Sequence, residues 1–308
     1  MSRYAVNGFS RARAWLELSR PANIVTAFAD ILAGVSIAGG GLYLLGGSPV
    51  GLAEGTGWLL LATFGLYGGG VVLNDVFDAE LDQMERPERP IPSGRVTVVA
   101  AAIYGAGLLL LGLMAALQVS MVSGGVALAV IAAILIYDIR AKKGDFTGPL
   151  VMGLCRSGNL LLGMSVVPSA LIQTAWIGLM PLLYIFAVTL VSRGEVHGGS
   201  EKFGNIALLL LLLVYTQFFL ISYLVPDFHL AWSLVVLAIH LYIVVPPFLK
   251  VATDPTPERC GLAVKTGIIS LITLNAALAA GFSGPVMAIL ILFLLPLAKV
   301  IARSMNIT

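Results

Sequence analysis

Charge is scarce in this chain. Of 308 residues, 18 are Lys or Arg and 16 are Asp or Glu, 11% in all, less than half the share of about 25% in a typical soluble domain. With 58% hydrophobic residues and a mean hydropathy of +0.97, the chain has more apolar surface than a water-soluble core absorbs, which excludes a soluble fold. Cysteine is scarce too. Cys155 and Cys260 are the only two, far apart and without partners at metal-ligand spacing, which excludes a cysteine-built metal site; Cys155 reads as a small buried hydrophobe. A net charge of +2, spread over short loops, excludes a nucleic-acid role. The N-terminal stretch has basic residues but no short apolar run ending at a small-residue cleavage site, so no cleavable signal is expected.

What the chain does have is long apolar runs. They fall at about 22–45, 57–76, 97–118, 120–138, 148–171, 175–192, 204–225, 229–249, 262–283 and 285–302, each close to the roughly 20 residues that cross a bilayer as a helix. The expected fold is therefore all-α, a polytopic membrane helical bundle of nine or ten transmembrane helices in one domain over 1–308. Lys and Arg sort by side. With the N-terminus inside, the inner segments carry Arg3, Arg11, Arg13 and Arg20, then Arg86, Arg89 and Arg95, then Arg140, Lys142 and Lys143, then Arg193 and Lys202, then Lys250, Arg259 and Lys265. The outer connections near 46–56, 119, 172–174, 226–228 and 284 carry none, as the positive-inside rule requires. Lys299 and Arg303 favour ten crossings with the C-terminus inside as well. The expected location is the inner or plasma membrane, with the charged loops facing the cytoplasm. Crossings two and six both end in a charged inner loop, a weak internal echo that would set the two loops across a shared cavity.

Two ionisable groups fall inside predicted spans, Asp30 and Arg156. Such groups are costly in a bilayer and mark functional candidates by default; the other reading of Asp30 is a carboxyl satisfied within the bundle. His240 in mid-span and His229 at the outer end read as core or interfacial residues.

The second run leads into LNDVFDAELDQMERPERPIPSGRV. Asn74, Asp78 and Asp82 are spaced i, i+4, i+8, on one face if the helix continues, with Asp75 on its flank. Two readings stand for these carboxylates: helix-terminal charges solvated at the interface, or ligands of a hard divalent cation. Mg2+ favours one or two carboxylates completed by water and phosphate oxygens, so the second reading implies a diphosphate ligand. The Arg86, Pro87, Arg89, Pro90 and Pro92 run is equally open, a stiff loop presenting guanidinium forks to phosphate or simply inner-side charge.

The pattern N-x-x-x-D-x-x-x-D followed by RP-x-R-P-x-P-S-G resembles the first aspartate-rich motif of the UbiA superfamily of intramembrane prenyltransferases. Ser19–Pro21, YDIRAK at Tyr137–Lys142 and CRSGNLLLG at Cys155–Gly163 resemble further elements of that family in the same order. The resemblance implies a helical chamber open to the bilayer, in which two acidic loops hold Mg2+ and an isoprenyl diphosphate. On that resemblance Asp78 and Asp82 are metal ligands and Asn74 supports them, with Asn74 and the flanking Asp75 among the substrate-binding candidates. Arg86 and Lys142 meet the diphosphate, and Arg156 and Asn159 line the polar end of the chamber. The implied activity is Mg2+-dependent transfer of a prenyl group to an unidentified acceptor. The alternative is a non-catalytic or transport-type binder of a phosphorylated lipid.

One segment departs from the family. After the sixth run, where relatives carry aspartates, the chain reads TLVSRGEVHGGSEKFGN. Glu195 is the expected replacement ligand and catalytic partner, with Arg193 on the diphosphate and Glu201 and Lys202 nearby. His197 is open between metal ligand, proton carrier and plain loop residue. SRGEVHGG resembles the divergent EboC-like branch of the superfamily.

Overall fold

The computed structural model describes residues 8–39 and 50–304, and all regular structure within them is helical. Arg3 and the first part of the 46–56 connection lie outside these residues. Fourteen helices are described: α1 (Gly8–Ser19), α2 (Pro21–Ile37), α3 (Val50–Phe77), α4 (Ala79–Glu85), α5 (Val98–Val119), α6 (Met121–Ile139), α7 (Thr147–Met164), α8 (Pro168–Thr174), α9 (Leu179–Ser192), α10 (Glu201–Leu224), α11 (Leu230–Thr253), α12 (Pro257–Ser283), α13 (Pro285–Leu292) and α14 (Leu294–Ser304). Seven segments are long and apolar enough to cross a membrane: 52–77, 98–119, 121–139, 168–192, 201–224, 230–253 and 257–283. Pro21–Ile37 and Pro285–Ile301 are apolar but shorter, and α7 is diluted by Arg156, Ser157 and Asn159.

Each long helix packs on the next, and α12 returns to α2 to close a ring. Across the middle of that ring α2 also packs on α7, and glycine sets how close they come. A Cβ on Gly163 would sit 2.5 Å from the Ile31 carbonyl oxygen, and one on Gly34 would strike the backbone of Leu160 and Met164. The tightest pair, α3 and α5, approaches in the same way, since a Cβ on Gly65 would lie 2.5 Å from the Leu108 carbonyl oxygen. In a bilayer, where burial of apolar side chains drives little helix association, such small-residue contacts provide the packing.

The helix ends sort by chemistry. At one end Arg20, Asp75, Lys142, Arg193, Gly199 and Pro255 are linked through hydrogen bonds and ion pairs between successive connections. At the other, small hydroxyls close the bundle: Ser165 Oγ donates to Ser123 Oγ at 2.8 Å and Ser233 Oγ to the Ala277 carbonyl at 2.6 Å. The connections in which the sequence concentrates Lys and Arg are thus the ones that meet.

Candidate functional site

The acidic row begins on α3 and continues through a single break. Asp78 leaves helical geometry (φ −94°, ψ 3°), but the Asp78 N–H still donates to the Asn74 carbonyl at 2.9 Å and the Asp82 N–H to the Asp78 carbonyl at 2.8 Å. The i, i+4, i+8 relation therefore survives the kink. Asn74 Nδ2 donates to Asp78 Oδ2 at 3.1 Å.

Every carboxylate of the row has a cation. Asp75, 4% exposed, accepts from Arg20 Nη2 at 2.5 Å and Arg89 Nη1 at 3.3 Å. Asp82, 3% exposed, accepts from Arg89 Nη1 at 2.7 Å. Asp78 is bonded to the Lys142 ammonium, which also lies 5.9 Å from the centre of the Phe77 ring. Arg20 is the site residue that sequence reasoning left without a role, and Arg89, read as a guanidinium for phosphate or as inner-side charge, is bonded to carboxylates. The signal for Arg20 is conformational: it precedes a proline, which ordinarily enforces an extended backbone, yet it adopts φ 44°, ψ 62°. A left-handed, non-glycine residue carries strain, and the turn it makes between α1 and α2 lets its guanidinium reach Asp75. Arg95 then fastens α1 to the proline-rich loop by pairing Nη1 with Glu17 Oε2 at 2.6 Å.

The second loop lies against the first. Arg86 is the cation that acts on Glu195, opposing the burial that raises the Glu195 carboxyl above its usual range. Arg193 reaches the turn after α6. Its Nη2 donates to the Gly144 carbonyl at 2.5 Å and the Lys142 carbonyl at 3.2 Å, and its Nη1 pairs with Asp145 at 3.2 Å. It fixes the turn that carries Lys142. His197, Glu201 and Lys202 are exposed.

Arg156 and Asn159 sit elsewhere, in the middle of the bundle. Arg156 Nε pairs with Asp30 Oδ2 at 2.6 Å, and Arg156 Nη2 donates to Thr26 Oγ1 at 3.1 Å. Asn159 Nδ2 donates to Asp30 Oδ2 at 2.9 Å and to the Ala27 carbonyl at 3.0 Å. Asn275 Nδ2 donates to Asp30 Oδ1 at 2.6 Å, and the Thr63 hydroxyl donates to Asn159 Oδ1 at 2.5 Å. The Arg156 guanidinium also lies 5.6 Å from the centre of the Tyr67 ring. Asp30 is thus the carboxyl satisfied within the bundle. His240 is likewise interior, its Nδ1 2.7 Å from Thr273 Oγ1.

Oxygen-only donors such as Asp78 and Asp82 suit Mg2+. Among the described residues no three His, Cys, Asp or Glu side chains are gathered to hold an ion by themselves, so Glu195 does not converge with Asp78 and Asp82. This fits a metal that takes one or two carboxylates from the protein and the rest of its shell from a phosphorylated ligand, with Lys142 as the positive charge beside Asp78.

Comparison with known proteins comes to the same place. A family model described as the UbiA prenyltransferase family matches residues 32–260. The digeranylgeranylglyceryl phosphate synthase of Methanothrix thermoacetophila is 32% identical over 246 residues, 74% of this chain and 87% of that protein. A solved structure of a digeranylgeranylglyceryl phosphate synthase superposes with a TM-score of 0.65 at 23% identity, covering 89% of this chain and 99% of that one. A UbiA homolog from Archaeoglobus fulgidus bound to GPP and Mg2+ gives a TM-score of 0.50 at 14% identity, covering 92% and 99%.

Proposed function

The chain belongs to the UbiA prenyltransferase family, and we propose that it transfers a prenyl group from an isoprenyl diphosphate to a lipid acceptor at the charged end of one transmembrane domain spanning 1–308. The observation that carries the reading is the balance of charge at that end. Asp75, Asp78 and Asp82 already occupy Arg20, Arg89 and Lys142, so no bonded protein cation is left over for a diphosphate. An anionic ligand enters such a site only with divalent cations of its own.

Asp78 and Asp82 would hold Mg2+, with Asn74 keeping Asp78 oriented. Mg2+ would supply charge withdrawal from the departing diphosphate. Lys142, released from Asp78, is then free to meet diphosphate oxygens, held at its station by Arg193, while Arg86 approaches from the proline-rich loop. The positive-inside distribution supports a cytoplasmic position for this end. The GPP of the Archaeoglobus homolog supports the donor class, and the name of the Methanothrix relative supports a glyceryl phosphate lipid as acceptor.

The test is direct. Purified protein in lipid nanodiscs should retain labelled isoprenyl diphosphate only with Mg2+ and release diphosphate when acceptor lipid is added. Asp78→Ala and Asp82→Ala should each abolish Mg2+-dependent retention while the protein stays monodisperse. Unchanged retention in both would remove the metal assignment.

A further inference from the structure

At the end of the bundle closed by Ser123 and Ser165, opposite the charged connections, a cavity of about 310 Å3 opens where the start of α3, the end of α5 and the residue Val166 beyond α7 meet. Gly55 sets its floor. A Cβ there would lie 3.3 Å from Val166 Cγ2 and 3.8 Å from Val119 Cγ1, so the three elements meet on a glycine and the space beside it stays open. The polar side chains that line the cavity are Glu54 and Trp58 from α3 and Gln118 from α5. Trp58 packs partly buried against the core, while Glu54 and Gln118 are exposed. The sequence holds no Lys or Arg between Arg20 and Arg86 or between Arg95 and Arg140. The helices around the cavity therefore offer Glu54 no counter-charge, and a cation beside it comes from outside the chain.

A carboxylate accepts hydrogen bonds, whereas the Gln118 amide and the Trp58 indole N–H donate them. Together they suit a ligand that carries an ammonium and an anionic oxygen a short distance apart. The volume is at the small end of ligand pockets, room for a headgroup and not for a whole lipid. Beyond the cavity the face of α5 that carries Gln118 continues at i−4 and i−7 with Met114 and Leu111, 45% and 40% exposed, an apolar track on which an acyl chain can lie. We propose that this cavity binds the headgroup of an aminophospholipid, with its ammonium on Glu54, its phosphate oxygens on Gln118 and Trp58, and a chain along Met114 and Leu111. A phospholipid with no amine brings only negative charge to Glu54 and is disfavoured. The site lies at the opposite end from the isoprenyl diphosphate and is independent of it. Bound there, the headgroup ties α3 to α5 and stabilises the folded protein by mass action.

Native mass spectrometry of the delipidated full-length protein tests this with phosphatidylethanolamine, phosphatidylglycerol and the chain-free glycerophosphoethanolamine. The wild type should retain phosphatidylethanolamine in preference to phosphatidylglycerol, and the chain-free headgroup at equal concentration should not displace it. Glu54→Gln should weaken that retention by roughly tenfold, about 1.4 kcal/mol, and should lose most of the rise in thermal midpoint that phosphatidylethanolamine gives the wild type. Its Mg2+-dependent retention of isoprenyl diphosphate should be unchanged. Gln118→Leu, on the other helix, should weaken retention of the lipid as well, and it carries the test if Glu54→Gln is not monodisperse. Asp227→Asn removes another exposed acid at the same end and should bind as the wild type does. Unchanged retention in Glu54→Gln and Gln118→Leu overturns the proposal. So does equal retention of phosphatidylglycerol, and so does an equal loss in Asp227→Asn, which would make the effect one of general surface charge. Displacement by glycerophosphoethanolamine overturns the assignment to a lipid.

Discussion

The molecule holds two clusters of charge that look alike on paper and differ in how they are held. The mid-bundle cluster is built from side chains rooted within helices: Asp30 on α2, Arg156 and Asn159 on α7, Asn275 on α12. Both oxygens of Asp30 are occupied at 2.6–2.9 Å, and Asp30 is fully buried. The cluster at the charged end is held by long side chains from turns: Arg20 from the α1–α2 junction, Arg89 from the proline-rich loop, Lys142 from the turn after α6. Their side chains are 16–26% exposed. The first cluster has little room to exchange partners, whereas the second can release each cation to a ligand and take it back. Structural ion pairs are the closed kind, and a binding site requires the open kind.

The sharpest way to break this comparison is to remove one partner from each. Arg156→Leu leaves Asp30 at the core without its counter-charge, a loss on the order of 3–5 kcal/mol, so the variant should lose its folded, monodisperse form. Lys142→Leu at the open cluster exposes a carboxylate that water can reach, and exposed pairs contribute about 0–1 kcal/mol. That variant should fold normally and lose diphosphate retention. Thermal unfolding in detergent compares them, and equal losses in the two variants would mean that the charged end is structural as well.

Much of the frame was legible before any coordinates. The run at 120–138 became α6 at Met121–Ile139 and the run at 262–283 became α12 at Pro257–Ser283, because twenty apolar residues in a row leave a bilayer helix as the only fully hydrogen-bonded option. The sixth run proved less regular. It opens with a 3-10 turn at Ala175–Gly178 before α9, while α8 takes up the end of the fifth run and the expected outer connection at 172–174, and Phe293 divides the last run into α13 and α14. The helix α1 was missed, since its sequence, GFSRARAWLELS, gives no continuous apolar signal. In the site, Asn74, Asp78 and Asp82 were legible from their spacing, because a helical period puts them on one face. Arg20 and Asn275 were not. Each is bonded to a carboxylate 55 or more residues away in sequence, and local pattern says nothing about such pairs. The same limit applies to Arg156 and Asn159: their cost in a bilayer marked them as special, but only the packing of α2 on α7 shows that Asp30 is what they are for.

A smaller effect sharpens the account of the open cluster. If Arg193 acts through Lys142 by fixing the 142–145 turn, then Arg193→Ala should weaken retention of isoprenyl diphosphate by roughly tenfold, about 1.4 kcal/mol, and Lys142→Ala by at least as much. The double variant should be no worse than Lys142→Ala alone, as expected of residues that act as one unit. Additive losses would place Arg193 on the diphosphate independently.

The smallest effect belongs to Glu195, and its sign follows from its surroundings. Burial raises the carboxyl above the ordinary value of about 4.3, and Arg86 opposes that rise without cancelling it. A carboxyl whose pKa is higher folded than unfolded binds its proton more tightly in the folded state. Its contribution to stability is therefore complete below the unfolded value and is lost as pH rises through the folded one. At neutral pH the ionised Glu195 is a slight burden on the fold, and Glu195→Gln should raise the thermal midpoint slightly at pH 7 and leave it unchanged at pH 4. Catalysis should move the other way. If ionised Glu195 holds Arg86 where the diphosphate arrives, wild-type turnover should fall on the acid side beginning above the usual glutamate range, as the carboxyl takes up its proton and releases Arg86. The Gln variant should turn over more slowly at pH 7 and lose that acid limb. Turnover measured from pH 4.5 to 8 for both proteins settles the role: matching profiles would leave Glu195 a bystander at the edge of the loop, and a Gln variant that keeps the limb would assign the titration to another group.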